Sequence, residues 1–121
     1  MAYVDLAIHR RKCGTSAQCL LMFDELHNCI MNLPGVQVIP VKSYYKYWYY
    51  DKGFLAVYVN KQKFRLDITP VDENLFSQLN VKWKQKPPTE HKGSFEYEVY
   101  LDVREIEKAK KIGMAAYSSV I

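Results

Sequence analysis

No run in this chain approaches the roughly 20 consecutive apolar residues of a membrane-spanning helix. The opening MAYVDLAIHRRKC lacks the basic start and apolar block of a secretory signal. Glycine is scarce and scattered singly, which leaves no glycine-rich loop to cradle a phosphate. The cysteines, Cys13, Cys19 and Cys29, are odd in number and lack a framework spacing, so disulfide stapling is not expected. Reduced thiols and the missing signal point to a cytoplasmic protein without a membrane partner. His9, Cys13, Cys19, His27 and Cys29 offer none of the spacings a zinc site uses, and no metal or other cofactor is expected. Heptad, collagen and solenoid periods are missing as well.

What remains is an ordinary globular composition, 49% apolar and 25% charged in 121 residues, enough for one domain with a core. Residues 1–121 are expected to form that domain, with 1–14 as an arm or short helix bearing Arg10-Arg11-Lys12. The formal charge is +4, and it is uneven. Residues 36–70 carry six basic groups and two acids, and 81–92 four lysines and one acid, whereas 93–121 are slightly acidic. A positive middle suits an anionic partner.

The most unusual stretch lies there. Lys42–Lys52 reads KSYYKYWYYDK, with six aromatic residues and three lysines in eleven positions. Around it the hydrophobic period changes. Leu20, Phe23, Leu26, Ile30 and Leu33 recur at helical steps, with Cys19 and Met22 on the same side, and Pro34-Gly35 ends the pattern. Strand candidates follow at Val36–Val41, Lys42–Tyr50, Phe54–Val59 and Lys63–Ile68. Asp51-Lys52-Gly53 and Asn60-Lys61 are the expected hairpin turns. Glu73–Leu79 reads as a helical turn, Val81–Lys84 as a short strand, and Pro87-Pro88 as a stiff loop. Phe95–Leu101 alternates as a strand. Asp102 and Glu105 form a capping-box-like start to a last helix, with Val103, Ile106, Lys110, Gly113, Met114 and Tyr117 on one side. The expected fold is an α+β two-layer sandwich. Its antiparallel sheet has four to five strands, and the N- and C-terminal helices lie on one face.

The segments FDELHNCIMNLPG at 23–35, the tyrosine-rich strand from Lys42, KGFLAVYV at 52–59, and YEVYLD at 97–102 before a helix ending in AAY at 115–117 carry a resemblance. From about residue 16 the chain resembles a small prokaryotic family of domains of unknown function. Its members are found appended to nuclease-like or DNA-associated modules. The resemblance implies a nucleic-acid or defence context by association and carries no catalytic set.

Two readings of the aromatic run stand side by side. Alternation puts Tyr44, Lys46, Trp48 and Tyr50 on one strand face and Tyr45, Tyr47 and Tyr49 on the other. With Lys46 among them, the first set is expected to meet solvent. It then forms either a stacking platform for bases or a tyrosine-covered sheet held by cross-strand pairs. The candidate nucleic-acid-binding set is Tyr44, Lys46, Trp48, Tyr50, Lys63, Arg65, Lys82, Trp83, Lys84 and Lys86. The alternative is a protein-interaction or regulatory domain, a homodimer included, using the same patch.

Other motifs fall away. Lys52–Val59 agrees with an RNA-recognition-motif signature at four positions, but Ala56 and Val59 stand where stacking aromatics are needed. Asp67 with Glu90-His91-Lys92 has the letters of a metal-dependent nuclease core without its apolar strand, and Asp67 is expected to pair with a cross-strand lysine. Glu96 and Glu98 read as a solvated face. Cys19 and Cys29 lie on or near the helix stripe, where thiols are inert. The reading is therefore a non-catalytic binding module.

Overall fold

The computed structural model describes residues 17–40, 44–60, 63–86 and 95–121. The proposed N-terminal arm, Lys42, the Asn60-Lys61 turn beyond Asn60, Pro87-Pro88 and Glu90-His91-Lys92 lie outside the described residues. Helix α1 spans Ala17–Met31. Strands β1 (Val36–Pro40), β2 (Tyr45–Tyr49), β3 (Lys52–Asn60) and β4 (Lys63–Ile68) follow as a meander. The short helix α2 (Asn74–Leu79), strand β5 (Lys82–Gln85) and strand β6 (Tyr97–Asp102) come next. Helix α3 (Ile106–Ser118) follows a single tight turn at Val103–Glu105. The six strands form one antiparallel sheet in the order β1-β2-β3-β4-β6-β5.

Six strands exceed the expected four to five, because both edge candidates pair. β1 ends on Pro40, whose missing N–H is tolerated at an edge. β5 is polar and short, yet its whole length is in register with β6.

One face of the sheet is covered. Tyr45, Tyr47, Leu55, Val57, Leu66, Ile68, Tyr97 and Val99 point to it, and all are buried. Cys19, Phe23, Leu26 and Ile30 of α1 meet them, as the stripe predicts; Phe23 stacks on Tyr45 at 4.8 Å. α3 lies beside α1 and buries Ile106, Ala109, Ile112, Gly113, Ala116 and Tyr117. This differs from the expected stripe. Lys110 turns outward to Glu25 and Glu107, each at 3.0 Å, and Met114 is exposed. Small residues take the inner face because the helices approach closely: a Cβ on Gly113 would stand 2.7 Å from Ile30 Cδ1. α2 covers the far end of the same face, with Phe76 against Trp83 and Tyr97.

The caps follow the sequence. Asp102 accepts the Arg104 N–H and Glu105 accepts the Asp102 N–H, completing the capping box before α3. The β2–β3 hairpin turns one step early, at Tyr50-Asp51, and the positive φ of 52° falls on Tyr50 rather than on glycine. A register shift at Tyr47/Trp48 is the cause: Phe54 becomes the extra residue, and Gly53 is already paired with Trp48.

Candidate functional site

The opposite face of the sheet carries no helix among the described residues, and its side chains run in rows set by register. Row one is Tyr58, Arg65, Tyr100 and Lys82 across β3, β4, β6 and β5, with Tyr44 extending it before β2. Row two is Ile39, Lys46, Ala56, Asp67, Glu98 and Lys84. Row three starts with Gln37, Trp48 and Gly53.

Row one forms a stack. The Tyr44 and Tyr58 rings lie 4.6 Å apart at 28°, and the Arg65 guanidinium carbon lies 3.9 Å from the Tyr58 ring centre. Coplanar rings cannot approach so closely, so these planes stand upright from the sheet. Tyr58 lies between its two neighbours and gives one face to each. The stack therefore presents ring edges and hydroxyls to solvent, and the Tyr58 faces a base would need are occupied.

Row two holds a buried charge cluster. Arg65 donates to both oxygens of Asp67 at 3.0 and 3.1 Å, and Lys86 Nζ donates to Asp67 Oδ2 at 2.9 Å. Glu98 lies 3.7 Å from Arg65 and 3.9 Å from Lys86 and accepts the Tyr100 hydroxyl at 2.6 Å. Asp67, Glu98 and Lys86 are 1%, 7% and 8% exposed. Burial pushes the Glu98 carboxyl up, but the Tyr100 hydrogen bond and the charges of Arg65, Lys84 and Lys86 outweigh it and hold it below the usual range. The same contact works the other way on Tyr100. Burial and then the Glu98 bond push its phenol up to about 12, so it remains a donor.

The predicted residues divide. Tyr44, Lys46, Trp48, Lys63, Arg65, Lys82 and Lys84 share the open face. Trp83 is on the covered face against Phe76 and Tyr97, because its neighbour Val99 points inward. Tyr50 belongs to the turn, edge-on to Tyr49 and close to Gly35, away from Lys46. Lys86 turns inward to Asp67, which supplies the lysine expected for that acid from beyond β5. Glu98 is buried rather than solvated.

Sequence reasoning missed Tyr58, Tyr100, Gly53 and Phe95. Tyr58 was hidden in an apolar run, although its alternation with Ala56 places it on the Lys46 face. Among the described residues no group of three or more His, Cys, Asp or Glu comes together as a metal site. No described helix is long and apolar enough to cross a membrane.

Among the described residues the fold is an α+β sandwich, helices on one side of the sheet and a surface of lysines and tyrosines around a buried middle row on the other. No family model, curated protein or solved structure matches the chain.

Proposed function

We propose that the chain is a non-catalytic binding module whose open sheet face takes a polyanion, single-stranded nucleic acid in particular. One observation carries the reading. The two buried carboxylates of the face are consumed by Arg65 and Lys86, and Lys46, Lys63, Lys82 and Lys84 have no carboxylate within ion-pair distance among the described residues. Four lysines without an ion pair among the described residues, Lys84 lying across from Glu98, leave this surface positive and attract phosphates. The upright stack adds hydroxyl donors from tyrosines and leaves little room for base stacking, so recognition is of backbone rather than sequence. The resemblance to domains appended to nuclease-like and DNA-associated modules points the same way. A reducing, cytoplasmic setting is part of the proposal, in keeping with an odd number of cysteines that lack a framework spacing.

Fluorescence anisotropy of labelled single-stranded oligonucleotides tests it. Four lysine–phosphate contacts give a log–log salt slope of about −2.8, or roughly 50-fold weaker binding at 200 mM than at 50 mM salt. If low salt reveals nothing tighter than about micromolar binding, the reading fails. A second reading, docking of a protein partner or a second copy on this face, draws on Ile39, an apolar side chain 50% exposed beside Lys46. A concentration-independent monomer in sedimentation removes its dimer form.

A further inference from the structure

We infer that Lys46 and Trp48 form an oxyanion site on the open face, built to take one phosphate group. The inference deepens the polyanion reading and rests on it for the strand that supplies the phosphate.

Three observations converge. The indole Nε1 of Trp48 is sealed from solvent and has no hydrogen-bond acceptor among the described residues. Native proteins rarely leave such a donor unmade, because burying it without a partner is a net loss. Lys46 Nζ lies 4.3 Å from the Trp48 ring centre and 5.2 Å from that of Phe95, and among the described residues it meets no carboxylate. Aromatic rings hold a cation through their quadrupoles but leave the ammonium's donors without an oxygen. Gly53 makes the arrangement possible. Lys46 Cε lies 2.7 Å from where a Cβ on Gly53 would stand, so any side chain there would push the lysine off the tryptophan.

The result is one cationic donor and one neutral donor gathered at a single indole. Lys46 and Trp48 are each only partly buried, so a ligand approaches along the lysine, and a side chain must give way before an oxygen reaches the sealed indole N–H. Two donors of which one is charged favour an anion with several acceptor oxygens, which can answer both at once. A phosphate group meets both demands. Lys46 also stands one row from the Tyr58–Arg65–Lys82 line, on the face already assigned to the polyanion.

The test observes the orphan donor itself. Trp48 and Trp83 are the two tryptophans of the chain, and Trp83→Phe assigns their indole N–H resonances in a proton–nitrogen correlation spectrum. Inorganic phosphate, titrated into the full chain at constant ionic strength, is expected to move the Trp48 resonance along a saturating curve and leave Trp83 in place. Lys46→Gln is expected to weaken the response about ten-fold or more, and Gly53→Ala to do the same through displacement of the lysine. Acetate at equal concentration gives the smaller shift. A 5′-phosphorylated oligonucleotide that moves the resonance at lower concentration than inorganic phosphate identifies a strand as the source; an equal response identifies free phosphate. A Trp48 resonance that stays fixed up to about 50 mM phosphate, or moves equally in Lys46→Gln, overturns the site. Oligonucleotide binding with an unmoved resonance removes this site and keeps the polyanion reading. Phosphate capture without oligonucleotide binding keeps the site and removes that reading.

Discussion

Cutting Asp67 out of the sheet tests whether the buried cluster is a structural pin. Its carboxylate is 1% exposed and accepts three charge-assisted hydrogen bonds, two from Arg65 and one from Lys86. Attraction at about 3 Å and an effective dielectric of about 20 is on the order of 5 kcal/mol for one such pair, and desolvation offsets much of it. Removal of one partner is a different matter. Asp67→Ala takes from the Lys86 ammonium, whose side chain is 9% exposed, its carboxylate at 2.9 Å and leaves Glu98 at 3.9 Å. The expected loss is about 3 kcal/mol, the lower end of the range for breaking a buried pair, because Glu98 compensates in part. Lys86→Met alone leaves Asp67 held by Arg65 and costs about 1.5 kcal/mol, the value of one charged hydrogen bond. Asp67→Ala with Lys86→Met removes both charges, so the double variant loses less than the sum, with a coupling of roughly 1.5 kcal/mol or more. Urea denaturation followed by circular dichroism measures all four corners of the cycle. With a slope of roughly 1.5 kcal/mol per molar, Asp67→Ala moves the midpoint down by about 2 M. A shift below about 0.5 M, or single losses that simply add, refutes the pin.

Three further outcomes are expected. Lys82→Gln with Lys84→Gln shortens the oligonucleotide salt slope by about 1.4 without unfolding the chain, because both lysines are exposed and neither has a carboxylate within ion-pair distance among the described residues; an unchanged slope in anisotropy excludes them from the interface. Gly113→Ala gains about 1 kcal/mol of helix propensity but pushes into Ile30 Cδ1 for about 1–3, so urea midpoints fall; adding Ile30→Val, which deletes that methyl, recovers most of the loss. His27 Nδ1 is within 2.8 Å of the hydroxyl of fully buried Tyr47, and burial depresses the imidazole below its ordinary 6.5 despite Asp24. The folded state then holds fewer protons than the unfolded chain, so stability is full above pH 6.5 and falls as pH drops through the depressed folded value; His27→Gln flattens that part of the stability profile, and a slope that survives the substitution counts against the assignment.

How far the sequence reveals this surface depends on which physical signal each residue carries. Alternation alone is enough to send Tyr45 and Tyr47 under α1 and to leave Tyr44, Lys46 and Trp48 outside, because a strand's side chains must take turns. It fails at Tyr50 because the extra residue at Phe54 moves the turn forward, and a bulge leaves no mark in a hydrophobic pattern. It also fails for α3, where the inner face is chosen by how near α1 can come rather than by apolar size. Ala109, Gly113 and Ala116 win over Met114 on that ground. The charges were the hardest to read. Lys86 and Lys84 look alike in sequence, yet one is buried on Asp67 and the other lies exposed. Only the order β4-β6-β5 brings the end of β5 within reach of the end of β4, and register across three strands is a property of the assembled sheet. That pairing sets the charge of this face. It cancels the two buried carboxylates with the two cations nearest them, and the positive charge left over belongs to the lysines that face solvent.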